Sequence, residues 1–291
     1  MRQPLLSIII ANYNYGKFLE DAIRSVCAQR CDAEVELIIC DGGSTDCSVE
    51  VIKKYESFIY WWCSEKDSGQ SSAFNKGFAH AHGRFLTWLN ADDILMPGTI
   101  KALLDISGRF PDCQWFTGNY LEFRDDNNKI IKAPWGPHYL PAFVHSFSAP
   151  LIIFGPTTFW SADAYMKVGP IDESLHYSMD TDYWLRMKKA GYRQKRINHC
   201  CWAFRMHGNS KTAQYEGRVI PDKIKEKWYE ELYLVNNRIG YHCSRVVRWM
   251  CILTRLIDGS VLVALLRRIF LVGKKIDWKF LNQSEMQSGK I

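Results

Sequence analysis

The sequence predicts an open α/β fold: a doubly wound, mainly parallel sheet, followed by a C-terminal helical appendage. Three observations carry this. A buried-strand pattern gives way to an amphipathic-helix pattern four times within the first hundred or so residues. Each of those strands ends in a cluster of polar residues, which places ligand groups along the carboxyl edge of a parallel sheet. After residue 217 the composition changes. Residues 218–291 hold 14 Lys and Arg against 7 Asp and Glu, whereas residues 1–217 hold 23 against 24. The boundary is therefore set at 217/218.

The first strand is Leu5 to Ala11, an apolar, β-branched run ending at Asn12-Tyr13-Asn14. Phe18, Leu19, Ala22, Ile23 and Val26 then share one helical face, with Asn14 as N-cap. Val35 to Cys40 is the second strand; it ends in Asp41-Gly42-Gly43 and leads to a helix through Val49, Ile52 and Tyr55. Phe58 to Cys63 is the third, before a helix through Ala73, Phe74 and Phe78. Arg84 to Leu89 is the fourth, opening into Asn90-Ala91-Asp92-Asp93. Two adjacent carboxylates at the end of a buried strand repel each other. They are best tolerated around a hard cation such as magnesium or manganese that also binds phosphates; the plain alternative is a capped turn. A helix over 97–110 and two strands around the turn at 125–128 follow. Residues 135–150, rich in Pro, His and aromatics, read as either an acceptor-site loop or ordinary packing. A strand at 155–160 and a short helix closing at Gly169 lead to a helix that starts near Asp180.

No G-x-G-x-x-G follows the first strand, which excludes a dinucleotide site. The near-neutral body excludes a nucleic-acid groove, and the basic tail points to an anionic surface. Ten cysteines without a CxxC pair read as reduced thiols. The N-terminus lacks a signal-peptide layout, and no apolar run reaches the ~18 residues of a spanning helix. The expected location is cytoplasmic, peripheral at the cytoplasmic face of a membrane.

Four blocks carry a family resemblance: SIIIANYN at 7–14, DGGSTD at 41–46, EKDSGQ at 65–70 with NKG at 75–77, and WLNADD at 88–93. In order and spacing, over roughly residues 5–215, the chain resembles glycosyltransferase family 2. The resemblance implies a GT-A fold, a Mn2+ or Mg2+ ion, and transfer with inversion from a nucleotide-sugar donor. It implies that Asp41 reads the base. A carboxylate accepts the N3–H of uracil or thymine, so the donor is UDP- or dTDP-linked; the alternative for Asp41 is an Asx turn beside Gly42. Asn12, Asn14, Asp67, Gln70, Asn75, Lys76 and Asp92 complete the donor set. Asp92 is expected at ribose and metal, and Asp93 and His207 at the metal. Arg205, Ser210 and Lys211 flank His207 as a polyanion site. Asp180, in YSMDTDYWLR at 177–186, matches the family's general base. Asp182, two residues on, faces elsewhere around the helix. The sequence departs from relatives at Asn90 and Met179, where acids are frequent, and at Phe74, where some carry an Arg towards the diphosphate. The expected acceptor is a glycan or lipid-linked glycan. A non-catalytic scaffold on the same fold is the rival reading. In the tail, Ile224, Trp228, Glu231, Leu232 and Val235 share a helical face, and 246–272 is apolar but broken by Arg255, Asp258, Arg267 and Arg268. That suits either an anionic membrane interface or a packed bundle.

Overall fold

In the computed structural model the described residues are 3–29, 34–135, 157–208 and 222–282. Along the chain run β1 (Leu6–Asn12), α1 (Gly16–Cys27), β2 (Val35–Asp41), α2 (Ser48–Lys54), β3 (Trp61–Ser64), α3 (Gln70–Ala79), β4 (Phe85–Asn90), β5 (Ile94–Leu95) and α4 (Thr99–Arg109). Then come β6 (Trp115–Arg124), β7 (Ile130–Lys132), β8 (Thr158–Ser161), α5 (Ala162–Val168), α6 (Met179–Lys189) and β9 (Lys195–Met206). Three helices follow: α7 (Asp222–Ile239), α8 (Arg245–Ile257) and α9 (Ser260–Leu271).

One sheet runs in the order β3-β2-β1-β4-β8-β6-β9-β5, with β7 beside β6. The first four strands are parallel, as the alternation of strands and helices predicts. The sheet then becomes mixed, because β8 runs antiparallel to both β4 and β6. β1 lies between β2 and β4: the chain runs outward through β2 and β3 and then crosses back to the other side of β1. The crevice between their carboxyl ends is where an open α/β sheet takes a ligand. Register places Asn12 beside Asp41, Asp41 beside Ser64, and Ala11 beside Asn90, so the ends of four strands share one edge.

Two layers cover the sheet. On one face Leu6, Ile8, Ile10, Leu37 and Ile39 pack with Leu19, Ile23 and Val26 of α1. On the other, Trp88 stacks between Phe74 of α3 and Trp184 of α6, with ring centroids 5.3 Å apart in both pairs. Each such pair adds about 0.5–1.5 kcal/mol beyond its buried area. Phe74 is therefore a core residue, and no cation stands at its position. This aromatic layer fixes α6 under β4 and brings the start of α6 to the same edge as Asp92.

Some boundaries differ from expectation. The third strand starts at Trp61, because Glu56–Phe58 forms a single 3-10 turn first. Asn14 does not cap α1. It has φ 56°, and its side chain instead accepts from the Thr45 amide at 2.8 Å. Asp46, from the next loop, accepts from Gly16 N at 2.9 Å and does the capping across the sheet edge. The helix closing at Gly169 is as expected, with Ser161 Oγ accepting from Ala164 N and Gly169 at φ 87°. In α7, Glu231, Val235 and Ile239 are the buried residues, whereas Trp228 is exposed. Val235 and Ile239 pack with Leu175 and Leu185, so this helix is built onto α6.

Candidate active site

The loops after β1 and β2 are joined around Asp41, which is 1% exposed. Its Oδ1 accepts from Asn12 Nδ2 at 2.6 Å and Ser44 Oγ at 2.5 Å. Its Oδ2 accepts from Ser44 N at 2.9 Å and Ser64 Oγ at 2.6 Å. Burial alone would push the carboxyl up, but the Ser44 hydroxyl, Ser64 hydroxyl, Ser44 amide and Asn12 amide together hold it below the usual carboxylate range. Asp41 is thus an ionised acceptor at the sheet edge. Two of its donors are hydroxyls, which can rotate away when a ligand N–H arrives. A Cβ on Gly42 would lie 3.0 Å from Asp67 Oδ2, so the bare backbone lets the loop after β3 close on the loop after β2. The same Asp67 turns the chain into α3 by accepting from Gly69 N at 2.9 Å.

Asp92 and Asp93, adjacent in sequence, have separate environments. Asp93, expected as a metal ligand, is 2% exposed and faces inward. Its Oδ2 accepts from Asn90 Nδ2 at 2.8 Å and Trp202 Nε1 at 3.1 Å, and its Oδ1 accepts from Arg205 N at 3.1 Å. Burial and the neighbouring Asp92 charge push its pKa well above the usual range, against the pull of those donors. Asp92 instead faces His207: Oδ2 and Nε2 are 3.1 Å apart. The His207 ring is set by Phe18, with centroids 4.3 Å apart, and by the edge of Tyr15. Burial pushes the Tyr15 hydroxyl up to about 12, helped by the Asp92 and Asp93 charges. Asp92 Oδ2 and His207 Nε2 are the oxygen and nitrogen donors at this edge that could hold a divalent cation. Among the described residues no cluster of three acids, histidines or cysteines forms a closed metal cage.

Asn90 explains itself in this geometry. Its Oδ1 accepts from Gln70 Nε2 at 3.0 Å while its Nδ2 donates to Asp93. An acid at this position would lose the donor and set a third carboxylate against Asp93. Asn90→Asp is expected to destabilise the fold by about 1–3 kcal/mol. The loss should shrink as the pH falls, because the raised pKa of Asp93 lets its repulsion lapse. Denaturant unfolding across a pH series checks this.

Other expected donor-site residues have structural duties. Asn75 accepts from Ile171 N and donates to Ile171 O, both at 2.9 Å, and so docks the 171–175 segment on α3. Lys76 Nζ lies 2.8 Å from Glu65. Arg205 is committed away from any polyanion. It reaches Asp21 at 2.7 Å, Asp125 at 2.8 Å and the Asp92 carbonyl at 2.9 Å, and its side chain is 7% exposed. Ser210 and Lys211 lie outside the described residues.

At the start of α6, Asp180 is half-buried and its Oδ1 accepts from Thr181 N at 2.6 Å. Met179 receives a hydrogen bond from Ser71 Oγ at 2.9 Å, which docks this turn against the start of α3. Asp182 is fully buried between Arg186, at 2.7 Å, and Arg238 of α7, at 2.5 Å. The two acids divide as the helical spacing predicts. The sequence reading placed Glu231 only on the face of a tail helix. From α7, this buried carboxylate accepts from His176 N at 3.1 Å, Tyr177 N at 2.7 Å and Ser178 N at 3.0 Å, the turn that leads into Met179 and Asp180. Its signal was an acid inside an otherwise apolar helical stripe.

A family model described as "Glycosyl transferase family 2" matches residues 7–155. TuaG of Bacillus subtilis (strain 168), provisionally named a teichuronic acid biosynthesis glycosyltransferase, is 27% identical over 214 residues, 72% of this chain and 81% of TuaG. Other curated glycosyltransferases, 29–37% identical, are spanned by the chain over only 32–58% of their own lengths. Residues 1–349 of S. aureus TarS, solved in complex with UDP-GlcNAc, superpose with TM-score 0.61 at 14% identity, covering 91% of this chain and 73% of that one. A mannosyltransferase from Pyrobaculum calidifontis, in complex with GDP-Man and Mn2+, superposes with TM-score 0.54 at 14% identity, covering 99% and 85%. At such identities the two structures show the shared GT-A fold.

Proposed function

The chain belongs to glycosyl transferase family 2, and on that premise we propose that it moves a sugar, with inversion, from a UDP- or dTDP-linked donor to a hydroxyl of a glycan or lipid-linked acceptor in surface polysaccharide assembly. The observation that carries this reading is the juxtaposition at one sheet edge of Asp41, held as an ionised acceptor, with the Asp92–His207 pair. Asp41 accepts the imide N–H of uracil or thymine, with Ser44 or Ser64 rotating to admit it. Guanine presents two neighbouring donors, N1–H and the N2 amino group, where uracil and thymine present the single N3–H. The superposition with a UDP-GlcNAc complex and the TuaG likeness support the donor class and the polysaccharide setting.

Mn2+ or Mg2+ on Asp92 and His207 would supply Lewis-acid charge at the donor diphosphate. Asp93, with Asn90, Trp202 and the Arg205 amide, holds the Asp92 backbone in place for that role. Asp180 takes the proton of the acceptor hydroxyl as it attacks the anomeric carbon. The transition state is oxocarbenium-like, as in glycoside hydrolysis, so the base has to be placed before the bond to the diphosphate lengthens.

Calorimetric titration with UDP, dTDP and GDP, each with and without manganese, tests the reading. Binding of UDP or dTDP that requires manganese, with GDP silent, is the expected result. Asp41→Asn should weaken UDP binding by about tenfold, roughly the worth of one hydrogen bond to a charged group. Metal-independent binding, or equal affinity for GDP, would refute the respective assignments.

A further inference from the structure

The two helices after α7 are inside out. On α8, Val246, Trp249, Met250, Leu253, Leu256 and Ile257 recur at three- and four-residue intervals and so share one face. All six are exposed, from 42% at Met250 to 78% at Ile257. The opposite side, which packs on the protein, carries buried Cys251 and half-buried Thr254 and Arg255. On α9 the same holds. Val261, Leu262, Leu265, Leu266, Ile269 and Phe270 face outward, 38–62% exposed, while Ser260 is buried and Arg267 half-buried. A helix packed on a globular core normally shows the reverse arrangement. The pair is tied to the body through Trp135, whose carbonyl accepts from Arg255 Nη2 at 3.1 Å and whose ring lies 4.4 Å from the Arg267 guanidinium.

The outward stripes are edged by cations. Arg245, Arg248, Arg268, Lys274 and Lys275 are exposed, and residues 245–275 contain seven basic residues against the single acid Asp258. A second copy of the chain laid on this face would bring those like charges together. Anionic lipid headgroups would neutralise them, at about 1 kcal/mol per Lys or Arg near the surface. Among the described residues no single helix is long and apolar enough to cross a membrane; α8 and α9 reach that length only as a pair bent by 67°. Their geometry suits lying in the interface rather than crossing it.

We propose that α8 and α9 together form an interfacial anchor that seats the protein on an anionic phospholipid bilayer, with the apolar stripes in the acyl boundary and the Arg and Lys side chains at headgroup depth. This rests on the exposed surface alone and is independent of the sugar-transfer reading.

The test is flotation of the full chain with phosphatidylcholine vesicles, with and without phosphatidylglycerol. Bound protein should rise by about tenfold or more when the anionic lipid is present, and should fall with added salt. The double variant Trp249→Asp/Leu265→Asp should lose binding to both vesicles while its thermal unfolding stays unchanged, since both side chains already face solvent. Arg245→Gln/Arg248→Gln/Arg268→Gln should lose only the preference for phosphatidylglycerol. Absence of flotation, or flotation undiminished in the double Asp variant, would overturn the proposal. So would a lipid-independent dimer, seen by light scattering, that the double variant dissociates.

Discussion

Asp180→Asn should lower kcat by about 10²–10⁴-fold, the range that a positioned general base contributes, while calorimetric UDP affinity stays unchanged. The substitution keeps the size and most of the polarity of the side chain, so the N-terminal turn of α6 should survive it. What it removes is the lone pair of a carboxylate that can take a proton. The nucleotide contacts proposed above fall to Asp41, at the end of β2, and Asp92, in the turn after β4, whereas Asp180 stands in the first turn of α6. The neighbouring acid supplies the control. Asp182 is buried between Arg186 and Arg238. Removing its charge takes one carboxylate from Arg186 and one of two from the half-exposed Arg238, so Asp182→Asn should cost about 1–3 kcal/mol of stability. Loss of activity in that variant should follow unfolding. Nucleotide release measured beside denaturant unfolding separates the two. Full activity in Asp180→Asn would remove it as the base.

What could be read from the chain and what could not follow from the range of the interactions. β1, β2, β3 and β4 were legible because each is a short apolar run alternating with a helical pattern, although β4 pairs with β1 and not with β3. The place of Asp41 at the sheet edge was legible because it stands at the end of such a run. The separate environments of Asp92 and Asp93 were not legible. They depend on Trp202 and Arg205, more than a hundred residues away, which reach Asp93 because β9 pairs with the two-residue strand β5. Local pattern marks both acids as exposed turn residues, and only tertiary contacts bury one of them. The intramolecular partners of Asn75 and Arg205 were hidden for the same reason. Their residue types suit phosphate or sugar, but Ile171, Asp21 and Asp125 engage them first. Asn90 looked like a weakened metal site and is instead a neutral bridge between Gln70 and Asp93.

The contact with most consequence for the tail is Glu231. Three backbone N–H groups donate to it over three consecutive residues, and each such bond to a charged acceptor contributes about 1.5–3 kcal/mol. Glu231→Ala leaves those donors without their acceptor and opens a gap beside Ser178, which is fully buried. We expect a loss of about 3–5 kcal/mol in unfolding free energy, with kcat falling by at least tenfold in the protein that remains folded. Glu231→Gln keeps the shape and one acceptor oxygen, so its losses in both measurements should be smaller. If the carboxylate only holds α7 in place, kcat should be normal wherever the variant is folded. If it sets the turn from which Asp180 projects, kcat should fall while the KM for the donor stays put. The composition boundary at residue 217 makes the same point from another side. A chain ended there lacks Glu231 and also Arg238, which pairs with Asp172 and Asp182. Such a truncation should be inactive in solution, with no membrane present. Basic charge alone marks α7 as part of a tail, but its Glu231 carboxylate and Arg238 guanidinium are bonded to residues 172–182, ahead of the composition boundary.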